Sequence, residues 1–224
     1  MRKTTFLLSC LVSVVVSSCV AVKPTRWEMH SLASIGGHST QVLGNPSTIP
    51  GKDGAPAIAF DGVDDGLLID ANPIAGAEEF TIEVVFKPKA VWPANVEQRF
   101  LHIEDMAVGQ RRILLELRLN NQNRWYADFF MRTEKAALTL IDSSKTHPVG
   151  EWATMTLTYK DKQLKGYVNG KLELSGEIEY LPIPPTAKTS IGTRMDKRSW
   201  FNGQIQSVRF WKVALQPKKY SDIL

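Results

Sequence analysis

Cysteine is almost missing from this chain. There are two in 224 residues, Cys10 and Cys19, both within the first twenty. A disulfide-stapled body and a cysteine zinc cluster are thereby excluded. Histidine is scarce too. His30, His38, His102 and His147 are scattered, with no pair at the helix or strand spacing that a metal site uses. Neither a Gly-x-Ser-x-Gly elbow nor a Gly-rich phosphate loop occurs. Charge of one sign is also lacking: 27 Lys and Arg stand against 23 Asp and Glu, a formal net of +4. That surplus is too weak to argue for a nucleic-acid partner. No apolar run reaches the roughly 20 residues of a spanning helix.

What is present starts with a targeting segment. Arg2 and Lys3 precede "TFLLSCLVSVVVSS", an apolar stretch with small residues at its end. This pattern fits a secretory signal better than a membrane anchor. "VSSC", Val16 to Cys19, resembles the lipobox of bacterial lipoproteins. That resemblance implies cleavage before Cys19 and its acylation, which would also remove the one thiol left in an oxidising compartment. Ordinary signal cleavage nearby is the alternative. Val20 rather than Asp follows Cys19, so by the same resemblance no inner-membrane retention signal is visible. Loss of Arg2 and Lys3 would lower the formal charge from +4 to +2, so the sequence pI of about 9.0 overstates the basicity of the mature chain. The expected layout is a signal peptide at 1–18, a lipidated tether at 19–26 and one domain at 27–224. The protein is expected to be exported and lipid-anchored in a bacterial cell envelope, at the outer membrane in a Gram-negative cell. Its membrane contact would be through the lipid alone.

The body alternates with period two. Ile82, Val84 and Phe86 share one face of "FTIEVVFKP", against Thr81, Glu83 and Lys87. Ile113, Leu115, Leu117 and Leu119 oppose Glu116, Arg118 and Asn120. Trp125, Ala127, Phe129 and Met131 oppose Tyr126, Asp128, Phe130 and Arg132. Ala153, Met155, Leu157 and Tyr159 oppose Thr154, Thr156, Thr158 and Lys160. Each pattern predicts a half-buried strand. Asn169-Gly170 predicts a hairpin, because both residues tolerate the positive φ of a type I′ turn. Pro182, Pro184 and Pro185 lack the N–H that an interior strand needs, so "LPIPPTAK" reads as a crossing loop. In "FNGQIQSVRFW" the step from Ile205 to Val208 breaks parity, and a β-bulge there would return Val208 and Phe210 to the core face. Only "ALQPKKYSDIL" could hold a short helical turn. Strands without helices predict an all-β fold of two packed antiparallel sheets.

The order of "AIAFDGVDDGLLI", "FTIEVVFKP", "GEWATMTLTYKDKQLKGYVNGKLELSG", "SIG" and "FNGQIQSVRFWKVAL" resembles that of LamG-like jelly-roll domains of the concanavalin A-like lectin/glucanase superfamily, from about Trp27 to Leu215. The resemblance implies a two-sheet antiparallel jelly-roll β-sandwich. Such domains serve as lectins, adhesion modules and glycosidases, so the fold leaves the function open.

Asp61, Asp64 and Asp65 crowd between Gly62 and Gly66. They read as a turn in which Asp caps backbone donors. The alternative is one structural Ca²⁺ held by Asp61, Asp64 and Asp65. The resemblance implies an acidic pair near the C-terminal strand around such an ion, but the matching positions are Gln206 and Ser207. Laminarinase-like glycosidases carry paired acids on one strand face. Here only Glu177 and Glu179 in "GEIEYLPI" approach that pattern. Glu116 stands beside Arg118, as on a solvated strand face. No catalytic residue is therefore assigned. Trp92, Tyr126 and Trp200 are candidates to stack on sugar rings, with Arg118 supplying directed donors. Trp125, Trp152 and Trp211 read as packing. The expected function is a non-catalytic binding or adhesion module for carbohydrate. A protein-interaction lipoprotein docking a cell-surface protein is the rival, and a glycoside hydrolase the third class.

Overall fold

The computed structural model describes residues 22–107 and 110–216. Cys19, the signal segment and residues 217–224 of the expected helical turn lie outside them. The described chain forms β1 (Thr25–Glu28), β2 (Ser34–Ile35), β3 (His38–Leu43), β4 (Ser47–Pro50), β5 (Pro56–Asp61), β6 (Gly66–Ile69), β7 (Phe80–Pro88), β8 (Glu97–Glu104) and β9 (Arg112–Leu119). It continues with β10 (Arg124–Arg132), β11 (Ala137–Ile141), β12 (His147–Pro148), β13 (Ala153–Lys160), β14 (Gln163–Val168), β15 (Lys171–Glu177), β16 (Lys188–Ile191) and β17 (Asn202–Trp211). Thr25 and Arg26, read as tether, already belong to β1. Among the described residues, no helix is long and apolar enough to cross a membrane.

Two antiparallel sheets result. One runs β15-β14-β13-β7-β17-β5-β4, with β1 beside β17. The other runs β11-β10-β9-β8-β16-β6-β3-β2, with β12 beside β10. The alternating apolar sets meet between them. Phe86 of β7 stacks on Phe100 of β8 at 4.7 Å and meets Trp125 of β10 edge-on at 5.2 Å. Leu117, Phe129 and Leu157 are fully buried between the sheets, and Trp27 packs edge-on against Phe210 at 5.0 Å. Burying a large apolar side chain contributes about 1.5–3 kcal/mol, so this seam between the sheets holds the fold.

Local chemistry sets the joints. Asn169 and Gly170 adopt φ of 49° and 77°, as the type I′ turn demands. The β7–β17 register slips between Ile205 and Ser207, and Ile205, Val208 and Phe210 are all buried. The expected bulge therefore does restore the core face. Residues 181–184 form no strand. The outer faces differ from expectation: Thr81 and Glu83 on β7 are buried, with Glu83 paired to Arg209 at 3.3 Å. Alternation assigns the side a residue faces, not the depth at which it lies.

Register also orients the sandwich. β17 starts with Asn202 opposite Asp61, and reaches Phe210 opposite Thr25 and Trp211 opposite Thr81. Thr25, where β1 starts, thus lies at one end, as does Leu215, whose N–H donates to Thr81 Oγ1 at 2.9 Å. The loops 62–65, 89–96, 120–123 and 192–201 gather at the opposite end, roughly 30 Å away along the strand.

Candidate functional site

Four rows of side chains cross the outer face of β8, β9 and β10. Nearest the loop end, register aligns Glu97, Arg118 and Tyr126. Next come Arg99, Glu116 and Asp128, then His102, Leu114 and Phe130, and last Glu104, Arg112 and Arg132. Arg118 Nε donates to Asp128 Oδ2 at 2.7 Å, and its Nη1 donates to Glu97. Arg99 Nη2 donates to Glu97 Oε2 at 3.2 Å. Its Nε lies 3.2 Å from Glu116 Oε2, a charge contact without hydrogen-bond alignment.

Glu116 is 4% exposed and Asp128 fully buried. This corrects the reading of Glu116 as part of a solvated face. Arg99 ties the 192–201 loop onto that face, with its N–H donating to Ser199 O at 2.9 Å and its guanidinium to Ser199 Oγ. Burial pushes the Glu116 carboxyl up to about 7; Arg99 opposes this and the Asp128 charge adds to it. Burial also raises Asp128, against the hydrogen bond from Arg118. Burial draws Arg118 down, but the bond to Asp128 and the charges of Asp128, Glu97 and Glu116 carry it above its ordinary value. Further along, His102 is buried and accepts from the Met195 N–H at Nδ1, 3.1 Å. Burial, then Arg194, Arg112 and Arg99, hold it well below its ordinary value. With Glu116 and Asp128 shielded from solvent, this lattice fixes side chains and offers no open carboxylate pair.

The structure brings Arg118 and Tyr126 together as direct cross-strand partners. Trp92 is 39% exposed on the β7–β8 loop, and its N–H donates to Asn123 Oδ1 of the β9–β10 hairpin at 3.2 Å. Trp200 is half-buried, and its carbonyl accepts from Asn95 Nδ2 at 2.5 Å. The same Asn95 amide donates to Gly62 O at 3.2 Å, so one side chain ties three loops together. Gly66 is required here: a Cβ would stand 2.6 Å from Thr193 Cγ2 and 3.3 Å from the Trp200 ring. Trp125 and Trp211 are buried as expected, and Trp152 half-buried.

Beside Tyr126 a cleft of about 650 Å³ opens between β11 and β15, the edge strands of the two sheets. Ile141, Asp142, Ser143, Glu173 and Ser175 line it with Tyr126. Sequence reasoning missed the two acids. "LTLIDSSK" and "LELSG" show nothing unusual alone, and only the packing of sheet edge against sheet edge makes them neighbours.

The Asp61 turn is built as a cap. Asp61 Oδ1 accepts the N–H groups of Val63, Asp64 and Asp65 at 2.8, 3.2 and 3.3 Å. Asp65 Oδ1 accepts from Asn45 N–H at 2.6 Å, and its Oδ2 from Asp61 N–H at 3.0 Å. Burial would raise Asp61, but those N–H donors hold it below its ordinary value. Burial lifts Asp65 above its own. One oxygen from each of the three acids falls within 4.8 Å of the others. Gln206 and Ser207 do not complete a shell: Gln206 Oε1 accepts from Lys52 N–H at 2.7 Å, and β17 places Asn202 beside Asp61 instead. With Asp61 Oδ1 and both Asp65 oxygens committed to the backbone, the donors fit a turn better than the six to eight oxygens of Ca²⁺. Glu177 and Glu179 do not form a strand pair. β15 ends at Glu177, and both acids are exposed, bonded to Gln163 and Lys135.

Comparison with known proteins agrees with this architecture. No curated protein sequence matches the chain. Domain 4 of AbnA, a GH43 extracellular arabinanase from Geobacillus stearothermophilus solved with arabinotriose, superposes with a TM-score of 0.59. It is 16% identical, over 90% of this chain and 98% of that one. The binding domain of botulinum neurotoxin DC in complex with SialylT gives 0.66 at 15% identity. The same domain with rat synaptotagmin II gives 0.62 at 13%. Each covers 90% of this chain, which spans about half of the toxin domains. These neighbours share the two-sheet jelly-roll sandwich. The family model for the concanavalin A-like lectin/glucanases superfamily matches residues 61–219, and the chain belongs to that superfamily.

Proposed function

We propose that this protein is a non-catalytic carbohydrate-binding module on an exported lipoprotein, with ligand recognition at the loop end of the sandwich. One observation carries the reading. Trp92, Arg118, Tyr126 and Trp200 all lie toward the end opposite Thr25, where β1 begins. Acylated Cys19 is six positions before Thr25, so an extended tether reaches about 20 Å at most. The anchored end then faces the membrane and the aromatic loops face away from it. The neighbours solved with arabinotriose and with SialylT support a sugar as ligand. The neighbour solved with synaptotagmin II supports a cell-surface protein as the second reading. In this reading Asp61 and Asp65 hold the turn, with Asp64 beside them, without an ion.

Two measurements test it. Metabolic labelling with a palmitate analogue is expected to tag the wild type and not Cys19→Ala; equal labelling of both sinks the lipoprotein reading. A glycan array on the full-length chain in detergent, with parallel incubation on polysaccharides, is expected to show sugar retention without new reducing ends. Reducing-end release would turn the reading to an enzyme. Silence in both would turn it to a protein partner, to be sought by surface crosslinking.

A further inference from the structure

We infer that the cleft between β11 and β15 is the saccharide site, and that it takes a neutral sugar. This rests on the carbohydrate-binding reading and adds to Tyr126 a set of residues that reading did not use. The cleft, at about 650 Å³, is in the size range of small-molecule sites. Tyr126 gives it an aromatic wall, and a sugar ring has a C–H face that packs on such a surface. The remaining walls are rich in acceptors: the carboxylates of Asp142 and Glu173 and the hydroxyls of Ser143 and Ser175. A ligand here must bring donors, and vicinal hydroxyls are donors. A hydroxyl bonded to a carboxylate makes one of the stronger, charge-assisted hydrogen bonds.

Glu173 is held in place before any ligand arrives. Its side chain is 9% exposed, and its Oε2 meets His147 Nε2 at 3.2 Å. The His147 ring lies 4.5 Å from that of buried Trp125, whose Nε1 donates to Pro148 O at 3.0 Å. Among the described residues, Glu173 Oε1 takes no hydrogen bond and is left for a ligand. Asp142 is fixed likewise, its Oδ1 accepting from the Ser144 N–H and hydroxyl at 2.9 and 2.6 Å. Preorganised acceptors lower the ordering cost of binding. Charge sets the class. Uronate or sialate carboxylates would meet two fixed carboxylates at short range, an unfavourable contact. Lys145 stands 3.9 Å from Asp142 Oδ2 and offsets part of the negative charge that would select a cationic sugar.

The test uses the full-length chain in detergent. Three probes are compared: neutral pentose and hexose oligosaccharides, uronate oligosaccharides, and chitosan oligosaccharides. Neutral glycans are expected to bind at least tenfold more tightly than either charged set. Tyr126→Ala and Glu173→Gln are each expected to lower affinity about tenfold. Ser175→Trp fills the cleft from an exposed position and is expected to abolish binding with an unchanged unfolding midpoint. Met106→Ser, at the far end of the sandwich, is expected to change nothing. Neutral-glycan binding that survives Ser175→Trp and Tyr126→Ala overturns the cleft assignment while the carbohydrate reading stands. Preference for a charged probe overturns the ligand class. No glycan retained by the wild type overturns both readings.

Discussion

Two groups of carboxylates in this molecule were assembled in opposite ways. Asp61, Asp64 and Asp65 are neighbours in sequence. They lie in one surface turn, where Asp61 and Asp65 spend their oxygens on backbone N–H groups. Glu116 and Asp128 are twelve positions apart and become neighbours only because β9 and β10 pair in that register. The first group holds Asp61 below its ordinary value, while burial in the second lifts Glu116 to about 7. Crowding in sequence thus marked turn chemistry, and the energetically demanding cluster was built by strand pairing. A charge is costly in proportion to its desolvation, and a turn desolvates far less than the middle of a sheet.

The sharpest break of that comparison is a one-residue shift of charge on β9. Glu116 is tolerated because Arg99 and Arg118 stand beside it. Leu117, on the opposite face, is fully buried among apolar side chains. Leu117→Asp buries an unpaired charge there and is expected to abolish cooperative unfolding in a thermal melt. Next in size is Asp128→Ala. It strips Arg118 Nε of its acceptor, Glu97 still holding Nη1, and is expected to cost about 2–3 kcal/mol in denaturant unfolding. The effect falls below the roughly 3–5 kcal/mol of a broken buried pair because Arg118 is 28% exposed.

The Glu116 comparison is sharpened by pH. Its folded value, about 7, lies above the ordinary 4.5, so between these the folded state binds more protons than the unfolded one. Its contribution is fully present below pH 4.5 and is lost as pH rises through 7. Wild type relative to Glu116→Gln is expected to lose about 2 kcal/mol from pH 5 to pH 7. His102, held low by burial, works in the other direction, losing stability as pH falls through its ordinary 6.5. The difference between the two proteins removes that contribution. A flat difference would mean that Glu116 is solvated after all.

What could be read from the sequence follows the same division. Anything encoded within a few residues was legible: the faces of β7, β9, β10 and β13, the Asn169-Gly170 turn, the proline loop, and the bulge after Ile205. Depth was not. Glu116 and Glu83 alternate like solvated residues and are buried, because a central strand has neighbours on both sides whose long side chains cover it. The candidate site divides likewise. Tyr126 and Arg118 could be named from their strands. Asp142 and Glu173 could not, because β11 and β15 belong to different sheets and meet only at their edges.

The smallest expected effect lies in the surface turn. Asp61→Ala removes one oxygen that caps three N–H groups, of which those of Val63 and Asp64 are exposed enough to rebond with water. The expected cost is therefore that of a lost cap, about 1 kcal/mol, measured by denaturant unfolding. Asp61→Asn keeps an acceptor in place and is expected to recover most of it. Among the described residues Asp64 lends no side-chain bond to the turn, so Asp64→Ala is expected to be neutral. An ion would reverse that ranking: Asp64 would then be a ligand, and its loss would matter as much as that of Asp61. The same distinction appears on adding millimolar Ca²⁺ to chelator-treated protein. A self-sufficient turn leaves the unfolding midpoint where it was, whereas a ligand bound only to the folded state raises it. A rise of several degrees that Asp64→Ala abolishes would replace the cap with a calcium site. The contrast would then lie between a charge cluster neutralised by a cation and one neutralised by arginines.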